Sequence, residues 1–140
     1  MKKMIVAALG LLLTVLVAGC TSANAAGPVA GAGAPVGGWV LEAWNDPSAV
    51  PNDGITLQLA DGLVSGKAAC NNYSGPVMMD NGNFSVGNLA VTRMACLDAG
   101  LAAAEDTYLR LLGEVTGWFS DGTSLVLTTN GAETLRFKTV

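Results

Sequence analysis

Short segments in which apolar and polar residues alternate follow one another along the chain from residue 55 onwards. Residues 55–59, Ile-Thr-Leu-Gln-Leu, alternate strictly, and Asp61-Gly62 separates them from a second such segment at 63–67. A period of two is typical of strands with one buried face, and Asp-Gly between two strands indicates a β-hairpin. The same pattern predicts further hairpins around turns at residues 80–82, 121–122 and 130–131.

Residues 98–115 depart from this alternation and predict a helix. Their apolar positions recur at the spacing of one helix face: Leu101, Ala104, Tyr108, Leu111, Leu112 and Val115. Asp98 is placed to cap this helix, and Asp106 and Arg110 are spaced for an i,i+4 ion pair. The pattern therefore predicts a mainly β fold, an antiparallel meander with one helix packed on it. Closure of the meander into a small barrel would remove its exposed edges.

The first twenty residues have the pattern of a lipoprotein signal peptide. Lys2 and Lys3 precede an uncharged segment at 4–17, which is shorter than the roughly twenty residues that span a bilayer. Small residues then lead to Cys20. We expect removal of residues 1–19 and acylation of Cys20, because several acyl chains together give stable membrane attachment. An ordinary secretory signal with an incidental cysteine, or an uncleaved anchor, are the alternatives.

Residues 20–37 predict the lipidated cysteine and a flexible tether, and residues 38–140 predict one domain. The tether consists of small residues, proline and a few aliphatic residues, and it has no charge and no aromatic side chain. Such a segment cannot bury enough surface to offset its chain entropy. As a coil it reaches about 20 to 25 Å. Thr21 follows Cys20 where an inner-membrane retention signal has Asp, so we expect the outer membrane, periplasmic face, in a cell with two membranes and otherwise the cell membrane.

The charge of the chain disfavours two classes of partner. The net charge is −4, and removal of Lys2 and Lys3 with the leader takes it to about −6. The remaining basic residues are scattered, whereas nucleic acids and anionic membrane surfaces require clustered Lys and Arg. We therefore expect no nucleic-acid partner, a monomer, and a membrane contact through the lipid on Cys20. The protein or small-ligand partner is not readable from these residues.

Two cysteines remain after acylation of Cys20, and they predict a disulfide between Cys70 and Cys96. An even pair outside the cytoplasm is more often a disulfide than a metal or redox site. The chain has no histidine and no CxxC spacing, so a zinc site or a Cys-His nucleophile lacks partners. In the chain-entropy model this loop closure is worth about 3.5 kcal/mol. We expect no cofactor and no metal ion.

The residues around these cysteines resemble the two signature segments of the META domain (HslJ-like) family. Residues 69–75 read Ala-Cys-Asn-Asn-Tyr-Ser-Gly, and residues 92–96 read Thr-Arg-Met-Ala-Cys. A strand at Trp39, Asp61-Gly62 before the first segment, and Glu105 with Tyr108 after the second complete the same order. The resemblance implies a small β-barrel of lipocalin-like topology with one helix, in bacterial envelopes, linked to stress tolerance. It implies no established reaction and no catalytic residues.

Asn71, Asn72, Tyr73 and Ser74 form the candidate interaction loop. We interpret Asn71 and Ser74 as shaping the turn after Cys70 through backbone hydrogen bonds, with Gly75 supplying a permissive dihedral. A Ser74–Lys67 reactive pair requires the fold to bring the two together with Lys67 buried, and an exposed Lys67 is expected instead. Aspartates directly before Gly or Asn-Gly indicate turns: Asp53, Asp61, Asp80 and Asp121. The core is the favoured location for the tryptophans: Trp39, Trp44 and Trp118.

Two functions of different classes fit these observations. The first is a non-enzymatic envelope lipoprotein with a stress-related or interaction role. The alternative is a small-ligand or inhibitor-type binding module that uses the barrel mouth or the Cys70 loop. A barrel filled with side chains favours the first, whereas an internal pocket with converging polar groups favours the second.

Overall fold

The computed structural model describes residues 35–51 and 54–140. The predicted signal peptide, Cys20, the tether up to residue 34 and Asp53 lie outside these residues. The elements are β1 (Gly37–Trp44), β2 (Thr56–Ala60), β3 (Leu63–Ala68), β4 (Asn71–Asp80), β5 (Asn83–Val86), β6 (Ala90–Val91), α1 (Ala99–Glu114), β7 (Gly117–Ser120), β8 (Ser124–Thr129) and β9 (Ala132–Thr139). The first strand begins next to the predicted domain start at Gly38.

The strands form one antiparallel sheet that closes on itself. Their order is β3-β2-β1-β9-β8-β7-β5-β4-β6, and an additional pairing joins β3 to β4. Eight strands therefore make a closed barrel, and the short β6 adds to β4 outside it. This confirms the predicted fold, a small barrel with one helix. Closure pairs strand edges that a flat meander would leave exposed.

The tight turns lie where the sequence placed them. Asp61, Asn81 and Asn130 have positive φ angles of 51°, 48° and 51°, and each precedes a glycine with positive φ. Two such residues in succession match the twist of a two-residue hairpin. At the β7–β8 turn the Asp121 carboxylate instead accepts the backbone N–H of Thr123 at 2.8 Å. The hairpin predictions are confirmed because this turn chemistry is local to the sequence.

The helix begins and ends close to its predicted bounds. The Asp98 carboxylate accepts the backbone N–H of Gly100 at 2.7 Å and that of Leu101 at 3.0 Å, which confirms the predicted cap. The predicted Asp106–Arg110 pair is wrong. Arg110 contacts Asp46, beyond β1, at 3.3 Å and Glu114 at 3.4 Å, because tertiary packing brings Asp46 within its reach.

Side chains from every long strand fill the barrel interior. Among the largest fully buried ones are Phe84, Phe137, Leu57, Leu125 and Leu135. The helix contacts β3, β5 and β9, which are not neighbours in the barrel, so it closes one end rather than lying along the wall. Tyr108 of α1 is fully buried there, and its ring meets the edge of Phe137 with centroids 6.5 Å apart.

The tryptophans divide between the core and its margin. Trp39 is 4% exposed and confirms the core prediction, whereas Trp44 and Trp118 are partly buried and pack against the core. Within the ranges that the structure describes, no helix has the length and apolar character needed to cross a bilayer.

Candidate functional site

The two signature segments meet at the end of the barrel that the helix closes. A disulfide joins Cys70, between β3 and β4, to Cys96, in the segment between β6 and α1, with their Cα atoms 5.9 Å apart. This confirms the predicted pairing. The disulfide ties the extended segment at 92–98, most of which is exposed, to the barrel wall.

Asn71 links three elements with one side chain. It is buried, at 6% exposure. Its Oδ1 accepts the backbone N–H of Met94 at 2.7 Å and the Thr92 hydroxyl at 2.9 Å. Its Nδ2 donates to Glu105 Oε1 of α1 at 2.8 Å. Because an unpaired buried amide is costly, these bonds fix the second signature segment and the helix against β4.

The Glu105 carboxylate completes this arrangement from the helix. Its Oε2 accepts the backbone N–H groups of Cys70 at 3.2 Å and Asn71 at 2.5 Å. Ala69, with φ at 75°, turns the chain between β3 and β4, and the carboxylate accepts the two backbone N–H groups that follow this turn. We call Cys70, Asn71, Thr92, Cys96 and Glu105 the signature clamp.

The predicted interaction loop is a strand, which corrects the sequence interpretation. Asn71, Asn72, Tyr73 and Ser74 open β4, and they alternate between buried and exposed. Asn71 and Tyr73 therefore point inward, and Asn72 and Ser74 point outward. The residues read as a loop because Asn and Ser disfavour strands, but pairing with β3 overrides that preference.

The predicted roles of Ser74 and Gly75 are also corrected. Among the described residues the Ser74 side chain makes no hydrogen bond, so it does not shape the turn. Gly75 is required by close packing rather than by its φ angle. A Cβ atom there would lie 2.8 Å from the Asn88 carbonyl oxygen and 2.8 Å from Leu89 Cδ2.

Tyr73 and Tyr108 form a buried polar pair beside the clamp. Their hydroxyl oxygens lie 2.6 Å apart, and the Tyr73 hydroxyl also donates to the Thr56 carbonyl at 3.0 Å. Burial raises the pKa of both phenols well above the ordinary value near 10. The pair therefore stays neutral and serves as hydrogen-bonding core, and an acid–base role near neutral pH is not available to it.

Lys67 and Ser74 lie on adjacent strands and on the same outer face. Lys67 pairs in register with Asn72, and Ser74 with Ser65, so the two side chains are diagonal neighbours. Lys67 is exposed, as expected from the sequence. The fold thus brings the two residues near each other, but it does not supply the desolvation that would make the amine a base for Ser74.

An open groove of about 610 Å³ lies beside the clamp on the outer surface. Half of its lining residues are apolar, including Leu89, Val91, Met94 and Leu109. The other half are polar, and among them Arg93 and Asp106 place opposite charges along the groove. Neither charged side chain forms an ion pair within the described residues. There, too, no group of three or more Cys, Asp or Glu is arranged to hold a metal ion.

Sequence reasoning did not assign the partners of Asn71. Glu105 and Thr92 form part of the family resemblance, which assigns them no role. The sequence offers one indication of the role of Glu105. It is an acidic residue on a helix whose other face is apolar, and such a residue can reach backbone groups beside the helix. The bond itself spans 34 positions of the chain and required the fold.

Comparisons with known proteins agree with this geometry. The sequence model of the META domain family matches residues 34–140. An NMR structure of a protein from Burkholderia xenovorans is similar, with 32% identity, a TM-score of 0.61, and coverage of 73% of this chain and 80% of that one.

Two further solved structures share the fold. An NMR structure of another protein is 27% identical with a TM-score of 0.57, over 74% of this chain and 89% of that one. A crystal structure of a DUF4847 family protein from Bacteroides vulgatus has a TM-score of 0.57 and 14% identity, over 74% of this chain and 92% of that one. Among curated proteins, none matches this chain significantly in sequence.

Proposed function

This chain belongs to the META domain family, and on that basis we propose that it is a non-enzymatic lipoprotein of the bacterial cell envelope. In this proposal it acts by binding a protein partner and contributes to stress tolerance. Acylated Cys20 holds it on the outer membrane, periplasmic face, or on the cell membrane where there is one membrane. The leader pattern and the uncharged tether support this attachment.

One observation carries the non-enzymatic part of the proposal. The hydrogen-bonding groups of Asn71, Thr92 and Glu105 within the clamp are used to hold the fold together. A reactive centre needs polar groups left over to meet a substrate, and nucleophile and base must be within reach of each other. The Ser74 and Lys67 pair is open to water, and none of the described residues orients it.

The groove beside the clamp is the surface that we assign to the partner. It lies between β6 and α1. Among the described strands, β6 pairs only with β4 and forms an edge of the sheet. An extended peptide segment can add to such an edge through main-chain hydrogen bonds. Arg93 and Asp106 would then select among partners by charge rather than supply most of the affinity.

A small-ligand binding function is the second candidate, and the size of the groove favours it. Small-molecule sites commonly have volumes of about 300 to 1,000 Å³. The groove, at about 610 Å³, lies within this range and is lined by apolar and polar residues in equal number. Its openness to solvent is less favourable, because small ligands are usually buried over most of their surface.

Co-purification after crosslinking in intact cells tests the proposal. We expect an acylated chain that enriches specific envelope proteins, an Arg93→Ala variant that enriches a changed set of them, and a Lys67→Ala variant that retains the native set as the matched control. Cys20→Ser should abolish acyl incorporation and release the chain from membranes. Retention of the Cys20→Ser chain in membranes contradicts the anchor. Turnover of an ester, peptide or glycan that Ser74→Ala removes without loss of folding contradicts the non-enzymatic assignment.

A further inference from the structure

A row of apolar residues crosses the outer face of the barrel. Leu63 at the start of β3 pairs with Ala60 of β2 on one side and with Pro76 of β4 on the other. Residues directly opposite each other in a sheet share a face. The neighbours Leu59 and Val64 are fully buried, so the row at Leu63 points outward.

The row extends beyond these strands at both ends. Met78 follows Pro76 two positions along β4 and lies on the same face. Val36 precedes Gly37, which pairs with Leu59, so Val36 lies beside the β2 end of the row. Val140 donates its backbone N–H to the Gly38 carbonyl at 3.2 Å, next to Val36. We call this row, with Val36, Ala60, Leu63, Pro76, Met78 and Val140, the apolar flank.

The apolar flank is unusually exposed for such side chains. The exposed fractions are 68% for Val36, 56% for Leu63, 75% for Met78 and 89% for Val140. Single exposed apolar residues are ordinary, but adjacent ones on one face indicate a surface that meets something apolar.

The path of the chain indicates what this surface meets. Val36 belongs to the flank, so the chain passes from the tether directly into it. Only 15 positions separate Pro35, the first described residue, from Cys20. The coil that the sequence predicts for this segment would reach about 20 Å. Acyl chains on Cys20 would therefore hold the flank close to the bilayer at a high effective concentration.

The charges around the flank fit a bilayer with zwitterionic headgroups. Lys138 is exposed and shares the outer face of Val140. Lysine stems lie along apolar surface while their ammonium groups contact phosphates. Asp61 lies at the turn beside Leu63, and Asp80 ends β4 beyond Met78, so carboxylates also border the flank. The mixture gives no net attraction to an anionic surface.

We propose that the apolar flank lies against the lipid bilayer that carries acylated Cys20. The inference rests on the proposed lipid anchor. It also fixes the orientation of the domain. The clamp begins at the far end of β3 from Leu63, so the end that the helix closes remains accessible to a partner in the periplasm or outside the cell.

Methionine oxidation tests this contact with a control inside the same molecule. Met78 lies on the flank, whereas Met94, 55% exposed, lies beside the clamp. The acylated chain in phosphatidylcholine vesicles is treated with peroxymonosulfate, an anionic oxidant that stays in water, and both methionines are followed by mass spectrometry. The measured quantity is the oxidation rate of Met78 divided by that of Met94. We expect this ratio to be at least threefold lower for the acylated chain than for the unacylated Cys20→Ser chain. Leu63→Ser should reduce this protection, and Leu97→Ser, near the clamp, should not.

The opposing outcomes are distinct. An unchanged ratio of the two rates on vesicles overturns the proposal. Protection of Met78 without vesicles that grows with protein concentration assigns the flank to a second copy and also overturns it. If the native chain is not acylated, the anchor has failed, and the same ratio measured with Cys20 coupled to a maleimide lipid decides whether the flank contacts lipid.

Discussion

The signature clamp and the apolar flank lie at opposite ends of β3 and are built in opposite ways. In the clamp, the Asn71 amide is buried, and each polar side chain has a hydrogen-bonding partner. In the flank, apolar side chains are placed in water, and no described residue covers them. Polar groups that are paired internally stabilise a fold, whereas uncovered apolar groups indicate a contact outside it. The signature residues therefore stabilise the fold, whereas the exposed residues of the flank indicate a contact between the domain and its surroundings.

Removal of the disulfide should produce the largest difference between the two regions. Cys70→Ala combined with Cys96→Ala should lower the free energy of unfolding by about 2 to 5 kcal/mol, as for native disulfides in small secreted domains. Leu63→Ser in the flank should change it by no more than about 0.5 kcal/mol, because it is a surface substitution. Urea unfolding of both variants checks this. Equal, small effects would remove the distinction.

Alkaline pH should lower the free energy of unfolding through the buried tyrosine pair beside the clamp. Burial raises the pKa of Tyr73 and Tyr108, so the folded state keeps phenolic protons that the unfolded chain releases. This stability is fully present below about pH 10 and is lost as the pH rises above it, by up to about 1.4 kcal/mol per pH unit for each tyrosine. Tyr73→Phe should lower stability at pH 7 by about 1 kcal/mol and reduce the alkaline loss.

Tyrosinate absorbance provides the readout for this prediction. The chain contains two tyrosines, so the signal comes from this pair alone. Absorbance should rise together with unfolding. Ionisation near pH 10 in a chain that is still folded would contradict the burial of the pair.

The hairpins and the helix could be predicted because their signals are local. Asp61-Gly62 and Asn130-Gly131 specify turns by their own backbone preferences, and Asp98 caps the helix two and three residues ahead. The disulfide was also predictable, since few cysteines leave few pairings. These features can be predicted with little information about the rest of the fold.

The roles of Asn71 and Glu105 could not be derived in this way. Asn71 favours turns on its own, yet pairing of β3 with β4 places it in a strand and buries its amide. Glu105 meets the chain 34 and 35 positions earlier, and Arg110 pairs with Asp46, 64 positions away. Such contacts depend on barrel closure and on which end the helix covers.

The smallest expected effect concerns two outward-facing residues, Ser74 of β4 and Lys67 of β3. Ser74→Ala should change the free energy of unfolding by no more than about 0.5 kcal/mol, because its hydroxyl bonds no described residue. Lys67→Met should behave similarly, since the ammonium group is exposed. Thermal and urea unfolding check both. A loss above about 1 kcal/mol would show that this outer face contributes to the fold as the clamp does.

A double-mutant cycle between Asn71 and Glu105 tests the central claim most directly. Asn71→Ala and Glu105→Ala should each cost about 2 to 3 kcal/mol of unfolding free energy, because each leaves partly buried polar groups unpaired. The double variant should cost at least about 1 kcal/mol less than the sum, as coupled neighbours do. Asp106→Ala, on the next helix position and without an ion pair, is the matched control and should be nearly neutral. Single variants that unfold like the wild type while losing partner binding would contradict a stabilising clamp.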